Sequence, residues 1–271
     1  MEDFAINSYD EQFNLKDFNP DDTNGLLKGN IKEEYEKLQE KFIELQDVFY
    51  ASKKYRLLII LQGMDCSGKD STIKKALSGA NPIGFNVENF KVPNQAELDH
   101  DYLWRIHNKT PMKGEITAFN RSYYEDVLVP RVHKTIDENT VSRRFKEINQ
   151  FEKYLVNNDT ILLKFFLHIS KEFQWGKLKT RLETPEKNWK FSEADLKERK
   201  FWDRYQQCYS DVISNCSTKE APWYVIPANR RWFRDYVILK TIVNTMENLN
   251  LEYPPLDGNI EEFMRELNES R

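Results

Sequence analysis

The sequence predicts an α/β fold, in which a parallel sheet of about five strands is covered by helices on both faces. Two observations predict it. Short segments rich in aliphatic and aromatic residues alternate with longer helical patterns, and a glycine-containing loop joins the first such segment to a helix. The predicted strands cover residues 56–62, 86–92, 115–120, 160–168 and 223–227.

Helical patterns fill the intervals between the predicted strands. In residues 31–49, apolar side chains such as Tyr35, Leu38 and Phe42 recur at spacings of three and four, which is typical of an amphipathic helix. Parallel strands need such crossover helices to connect them. The further predicted helices cover residues 70–77, 98–107, 141–155, 195–213 and 231–249.

Length and charge limit the domain count and the partners. With 271 residues and 39% hydrophobic residues, the chain can bury one large core, so we expect an irregular N-terminal extension over residues 1–29 and a single domain over residues 30–271. The net charge of −4 lacks the basic surplus of a duplex-binding protein, so no nucleic acid partner is expected. A polyanion could still bind if some of the 40 Lys and Arg residues converge on one cleft.

The cysteines and the apolar runs indicate the compartment. Cys66, Cys208 and Cys216 are odd in number and lack metal-ligand spacing, which predicts neither a disulfide framework nor a zinc site. The longest aliphatic run, residues 57–61, is too short to cross a bilayer, and no signal peptide pattern opens the sequence. We therefore expect a soluble, cytoplasmic protein without a membrane partner.

The loop after the first strand has the G-x-x-x-x-G-K pattern (Walker A) of phosphate-binding loops, here GMDCSGK at residues 63–69. Glycines let backbone N–H groups face a phosphate, the helix N-terminus adds partial positive charge, and Lys69 adds a full one. A chance glycine-rich turn would not explain the strand before it and the helix after it. The predicted phosphate contacts in and after the loop are Gly63, Cys66, Ser67, Gly68, Lys69, Asp70, Ser71 and Lys74.

Asp65 is unusual inside such a loop. A carboxylate there repels bare phosphate, so its simplest use is to hold a cation between itself and the substrate. The residue after Lys69 is Asp70, where an ordinary nucleotide-binding loop has the Ser or Thr that ligates magnesium. We expect Asp65 to bind Mg²⁺ or Mn²⁺; the alternative is that its side chain caps a local turn.

A second candidate segment, residues 114–122, reads as a strand that ends in polar residues. In open parallel sheets, the carboxyl ends of strands face the ligand crevice. Arg121 can bind phosphoryl oxygens in a planar fork. Asn120 stands where a Walker B carboxylate is expected, which makes it a second candidate metal ligand and shifts most of the metal binding to Asp65.

Residues 168–202 are dense in Lys and Arg and are interrupted by Pro185. Small kinases carry a mobile lid at this point of the fold, which closes cations over the transferred group. We therefore predict a lid at about 170–200, with Arg181 and Lys190 as phosphate contacts. A solvated charged face is the preferred interpretation for Lys171, Lys177, Lys179 and Lys197.

Several stretches together resemble the second family of polyphosphate kinases. These stretches are GMDCSGKDS, ELDHDYLWRIH, GEITAFNRSYYEDVL, HISKEFQ, WKFSEADL and APWYVIPANRR, which extend from Leu57 to the last predicted helix. The resemblance implies a P-loop kinase fold and magnesium-dependent phosphoryl transfer between inorganic polyphosphate and nucleotides. It also implies a homo-oligomer, as a dimer or a tetramer.

The resemblance assigns roles residue by residue. Asp65 matches the loop aspartate that is a metal ligand and catalytic group, Lys69 the phosphate-binding lysine, Arg121 a phosphate-binding arginine, and Arg181 the lid arginine. Arg131 is a further predicted phosphate or nucleotide contact. Glu125 resembles the subgroup that phosphorylates AMP as well as ADP, since other subgroups tend to have Asn there.

The chain departs from the family pattern at a few positions. Cys66 and Ser67 replace a small apolar pair, which leaves the backbone contacts to phosphate possible. Ser71 stands where the family often has Gly, and Lys177 where it commonly has Arg, so one forked phosphate contact is reduced to a point charge.

Two other functions share these features. An ordinary nucleotide kinase with ATP as the donor would have the same loop and lid, and a non-catalytic polyphosphate- or nucleotide-binding regulator could keep the loop alone. The expected substrates are polyphosphate and adenine nucleotides, with guanine nucleotides as a further candidate.

Overall fold

The computed structural model describes residues 4–6 and 13–271. A six-stranded sheet with the order β1-β6-β5-β2-β4-β3 forms its centre, and all neighbouring pairs are parallel except β1 with β6. The predicted five-stranded parallel sheet is thereby confirmed, with one short antiparallel strand added at the β6 edge. The strands are β1 (Ala5–Ile6), β2 (Arg56–Gln62), β3 (Phe85–Asn89), β4 (Ile116–Asn120), β5 (Thr160–His168) and β6 (Trp223–Pro227).

Helices follow almost every strand. Within the described part of the chain, none of them is both long and apolar enough to cross a bilayer. They are α1 (Lys32–Ser52), α2 (Lys69–Ala76), α3 (Gln95–Leu98), α4 (Trp104–His107), α5 (Glu125–Val132), α6 (Glu138–Asn157), α7 (Lys171–Glu183), α8 (Glu193–Arg199), α9 (Trp202–Cys216), α10 (Arg231–Glu247) and α11 (Ile260–Glu269).

The central strands are buried on both faces. Every residue of β4 is buried, as is every residue of β2 after Arg56, which requires a helical layer on each side of the sheet. One group of contacting helices consists of α1, α2 and α10, and a second consists of α5, α6 and α9. The apolar runs that the sequence offers as strands are therefore the middle layer of three.

Several predicted element boundaries differ from the structure, including those of β3 and of two predicted helices. Strand β3 ends at Asn89 instead of residue 92, because its partner β4 ends opposite it at Asn120. The helix predicted over residues 98–107 is two short helices, since the Asp101 carboxylate accepts the Leu103 N–H and competes with helical bonding. The helix predicted over residues 195–213 divides into α8, which buries no residue, and α9, which packs into the core.

Among the described residues of the predicted N-terminal extension, a 3-10 turn at Leu15–Asp17 follows β1. Leu15 is fully buried, which ties this part of the extension to the core. Residues 1–3 and 7–12 of the predicted extension lie outside the described residues.

A buried ion pair lies beneath the carboxyl edge of the sheet. Lys164 of β5 donates to Glu152 of α6 at 2.6 Å and to the Cys216 carbonyl at 2.6 Å. The other oxygen of Glu152 accepts from the hydroxyls of Tyr123 at 2.7 Å and Tyr124 at 2.6 Å. Burial, together with the Glu152 charge, holds the pKa of both phenols well above the usual range. This network fixes the turn that follows β4.

We predict that Glu152→Ala destabilises the fold by about 3–5 kcal/mol, because it leaves the Lys164 ammonium buried without its counter-charge. Urea denaturation of the purified variant measures the loss. The double variant with Glu152→Leu and Lys164→Met should recover most of it, since it removes both charges together. If Glu152→Ala were as stable as the wild type, Glu152 would not be the counter-charge that Lys164 requires.

Candidate functional site

The loop at residues 63–69 connects β2 to the first residue of α2. Gly63 has φ +145° and Gly68 has φ +100°, where an L side chain is strained. A Cβ on Gly63 would lie 2.7 Å from the Leu167 carbonyl oxygen, and one on Gly68 would collide with the Arg234 guanidinium. Both glycines of the pattern are thus required by the backbone and by close neighbours.

Lys69 is buried against the loop itself. Its Nζ donates to the carbonyls of Gly63 at 2.7 Å and Met64 at 3.3 Å. Burial lowers the pKa of the ammonium, and the nearby charge of Arg121 lowers it further. Because a lysine has three donor hydrogens, one remains for a phosphate oxygen.

Asp65 and Arg121 form an ion pair at the mouth of the cleft. Arg121 Nη2 donates to Asp65 Oδ1 at 2.6 Å, and both side chains are partly exposed. Strands β2 and β4 end at the same edge because Leu61 is paired with Asn120 in the sheet register. The carboxylate of Asp65 therefore faces a guanidinium across the cleft, in contrast to the alternative in which it caps its own turn.

Asn120 holds two neighbouring polar side chains in place. Its Nδ2 donates to Asp70 Oδ1 at 2.5 Å and to Asn89 Oδ1 at 2.8 Å. The amide nitrogen is thereby saturated and the carbonyl oxygen is left to accept or to ligate. Asp70 thus joins the site through Asn120.

Glu125 lies at the start of α5, next to the end of β2. With the Gln62 amide oriented so that its oxygen accepts from the Ser122 N–H, its nitrogen donates to Glu125 Oε1 at 2.9 Å. Burial raises the pKa of the Glu125 carboxyl, against the opposing charges of Arg121 and Lys69. The carboxylate is therefore electrostatically part of the same site.

The segment from α7 to α8 carries the predicted lid residues. Arg181 Nη1 donates to Asp195 Oδ2 at 2.8 Å and to the Lys190 carbonyl at 3.1 Å. Lys177, predicted to be a solvated surface charge, instead lines the cleft, where burial and the charge of Arg231 lower the pKa of its ammonium. Lys177 and Arg181 are four residues apart on α7, so both side chains lie on the side of the helix that faces the cleft.

One cleft of about 740 Å³ is lined by Asp65, Lys69, Asn120, Arg121, Lys177 and Arg181, together with other residues. Its lining includes nine Lys and Arg residues against the two carboxylates of Asp65 and Asp70. The whole chain has a net charge of −4, so this positive charge is a local property. The cationic residues are Lys69, Lys91, Arg121, Lys177, Arg181, Lys187, Lys190, Arg231 and Arg234.

Five predicted phosphate or nucleotide contacts lie outside that lining: Gly63, Ser67, Lys74, Glu125 and Arg131. Arg131 is occupied by Asp211 at 2.6 Å and by Glu138 at 2.9 and 3.1 Å. Lys74 is exposed on the following helix. Of the predicted loop residues, Cys66, Gly68 and Ser71 do line the cleft, and burial raises the pKa of the Cys66 thiol to about 11.

Sequence reasoning missed Arg234, which braces the loop from α10. Its guanidinium is buried and donates to the Ser67 carbonyl at 3.0 Å, to Ser71 Oγ at 2.9 Å and to Asp235 at 2.6 Å. A charged residue on the buried face of a predicted helix was the available signal, because burial of a guanidinium requires partners. Sequence reasoning also missed Gln174, a buried side chain whose Nε2 donates to the Asp65 carbonyl at 3.0 Å.

The oxygen donors at this edge fit a magnesium ion. Mg²⁺ is usually held by one or two carboxylates and completed by phosphate oxygens and water. Asp65 supplies the carboxylate and Asn120 a carbonyl oxygen, both beside the phosphate loop. In the described part of the chain, no group of three or more His, Cys, Asp and Glu side chains forms a metal site. An ion held by Asp65 and Asn120 would need phosphate oxygens and water to complete its coordination.

Two relatives are similar in sequence to this chain over most of its length. An AMP/ADP-polyphosphate phosphotransferase of Meiothermus ruber is 45% identical over 247 residues, which are 90% of this chain and 92% of the relative. An ADP-polyphosphate phosphotransferase of Rhodopseudomonas palustris is 41% identical over 82% of this chain and 83% of its own length.

A solved structure and a family model also match this chain. The crystal structure of polyphosphate kinase 2 from Arthrobacter aurescens superposes with a TM-score of 0.94 at 35% identity, covering 99% of this chain and 96% of that one. Residues 26–254 match the family model for polyphosphate kinase 2. The phosphate loop, Arg121 and the cationic segment over the cleft all lie within those residues. The chain belongs to the polyphosphate kinase 2 family.

Proposed function

We propose that this protein transfers a phosphoryl group between inorganic polyphosphate and AMP or ADP, forming ADP or ATP. The observation that carries the proposal is the convergence of nine cationic side chains around a phosphate loop in an acidic protein. A chain of many phosphates needs more positive charge than one nucleotide does, and the cleft concentrates that charge. The names of the relatives point to the same substrates.

The donor end lies over the loop amides and Lys69 in this proposal. The terminal phosphate of the nucleotide approaches in line, under the segment from α7 to α8, which acts as a lid. Arg121 and Arg181 stabilise the charge on the transferred group, a role that can contribute about 10³ in rate for one arginine. The acceptor is already an anionic oxygen, so no protein base is required.

The ion pairs at the site supply a mechanism for substrate entry. Arg121 is held by Asp65 and Arg181 by Asp195, so both guanidiniums have a fixed position before phosphate arrives. Phosphate oxygens then displace those carboxylates from the guanidiniums, or bind the guanidiniums beside them. Mg²⁺, or Mn²⁺ in its place, bound at Asp65 with the help of Asn120, supplies further neutralisation of phosphate charge when present.

The proposal also covers the assembly, the compartment, further acceptors and the domain organisation of the protein. The protein acts as a dimer or tetramer in the cytoplasm, where its three free thiols remain reduced, and guanine nucleotides are additional acceptors. Residues 30–271 act as one domain, with the lid at about 170–200. Nucleic acid is not a partner, in line with the net charge of −4.

We expect ATP to form when the protein is mixed with polyphosphate, Mg²⁺ and ADP, and ADP to form with AMP, in the absence of added ATP. Chromatographic separation of the nucleotides measures both products. An ordinary ATP-dependent kinase would give product only with ATP as the donor, and a regulator would give none with either donor. Either result would overturn the proposal.

Asp65→Asn should lower the transfer rate by at least about 10², because it removes the negative charge that is expected to hold the metal beside the phosphates. The amide oxygen can still accept from Arg121, so the fold should survive. Thermal melting checks the fold and a nucleotide assay checks the rate. Near-normal activity at several Mg²⁺ concentrations would refute the metal-ligand role.

Glu125→Asn should reduce the use of AMP more than the use of ADP. AMP is one phosphate shorter, so it depends more on polar groups that bridge the gap between acceptor and donor. The ratio of kcat/KM for the two acceptors measures the effect. The same loss with both acceptors would contradict a role in acceptor choice.

A further inference from the structure

Residues 13–21, here called the N-terminal strap, lie across the carboxyl ends of β5 and β6. The Nε2–H of His168, the last residue of β5, donates to the Phe18 carbonyl at 3.0 Å. The backbone N–H of Asn229, just after β6, donates to the Pro20 carbonyl at 3.1 Å. The strap is therefore attached at the edge of the sheet where the phosphate loop begins.

The Asn229 side chain joins the strap to α7. Its Nδ2 donates to Asp21 Oδ2 at 2.8 Å, and its Oδ1 accepts from the Ser170 N–H at 3.1 Å. Ser170 is the N-cap of α7, where its Oγ accepts from the Phe173 N–H at 3.0 Å. One amide group thus connects Asp21 to the first turn of the helix that carries Lys177 and Arg181.

The same turn reaches the phosphate loop. Gln174 is buried, and its Nε2 donates to the Asp65 carbonyl at 3.0 Å. On its other side, Gln174 Oε1 accepts from Arg199 of α8 at 2.7 Å. A shift of the first turn of α7 would therefore move the main chain at Asp65 as well as the cations that α7 places over the cleft.

The strap side of this turn is restrained through few bonds. The Asn229 amide can hold the Ser170 N–H only in one orientation. The Asp21 carboxylate favours that orientation by accepting from the amide nitrogen at 2.8 Å, and the same nitrogen donates to Ser170 Oγ at the longer distance of 3.4 Å. Asp21 Oδ1 also lies 3.5 Å from Arg230 Nε, in an exposed ion pair that contributes little to stability. The hydrogen bond to Asn229 is thus the contact by which Asp21 acts.

We propose that Asp21 and Asn229 are positioning residues for phosphoryl transfer: through Ser170 and Gln174, the N-terminal strap sets the position of α7 against Asp65. The proposal rests on the proposed function of the cleft. It gives the N-terminal extension a part in the reaction although its strap residues do not line the cleft.

The central test is Asp21→Ala, compared with Asp22→Ala as a matched control. We expect Asp21→Ala to lower kcat about ten-fold, because misplacing reacting groups by a fraction of an ångström costs rate without unfolding the protein. Asp22 is equally exposed, but its Oδ1 accepts from the Asn24 N–H at 2.9 Å, so its removal should leave kcat unchanged. Both variants should melt within a few degrees of the wild type.

Rescue and coupling distinguish positioning from general stability. Asp21→Asn keeps an oxygen that can accept from Asn229 but loses the charge, so it should restore most of kcat. Asn229→Ala should lower kcat at least as much as Asp21→Ala, and the double variant should lose no more than Asn229→Ala alone. Additive losses, or failure of Asp21→Asn to rescue, would overturn the proposal.

Backbone amide exchange gives a readout that does not depend on activity. Exchange at residues 171–176 should be faster in Asp21→Ala than in Asp22→Ala, with the rest of the sheet unaffected. Equal exchange in the two variants would overturn the proposal even if kcat differed. A wild-type protein that makes no ATP from polyphosphate would instead overturn the proposed function. The exchange experiment would still show whether Asp21 restrains the first turn of α7.

Discussion

Mutual repulsion among the cations around the cleft is the constraint on which this site depends. Nine Lys and Arg side chains line one cavity, and without phosphate they destabilise the fold that gathers them. Three of the four arginines that line the cleft have a carboxylate at hydrogen-bond distance: Arg121 has Asp65, Arg181 has Asp195 and Arg234 has Asp235. These carboxylates hold the guanidiniums in fixed orientations.

These ion pairs differ in how easily phosphate can replace the carboxylate. Arg234 and Asp235 are buried, so their pairing is a permanent part of the loop support. Arg121 and Asp65 are partly exposed, and their ion pair can open to phosphate at a small cost. Burial lowers the pKa of both Lys69 and Lys177. A polyanion that enters the cleft would raise both pKa values, because an opposite charge nearby favours the ammonium.

The sheet decides where this charge converges. Parallel strands β2 and β4 end in register, which brings the loop after β2 beside Arg121 after β4. Below that edge, the buried pair of Lys164 and Glu152 holds Tyr123 and Tyr124, the residues that follow the Arg121 turn. Above it, the N-terminal strap and α7 meet at Asn229. The site is thus supported from two sides by polar contacts that are satisfied within the protein.

The sequence by itself determined the sheet, its parallel strands, the phosphate loop and the residues Asp65, Lys69, Asn120 and Arg121, because these depend on local patterns: apolar runs, glycine spacing and polar strand ends. Only the tertiary structure decided the break of residues 98–107 into two helices, the place of Lys177 in the cleft, the pairing of Arg131 outside it, and the brace of Arg234. Those outcomes depend on partners far away in the chain: Arg234 contacts Ser67, and Asn229 contacts Asp21, across long separations in sequence. A single sequence records which residues are present, but the distance at which two of them meet is set by the packing of the sheet and its helices.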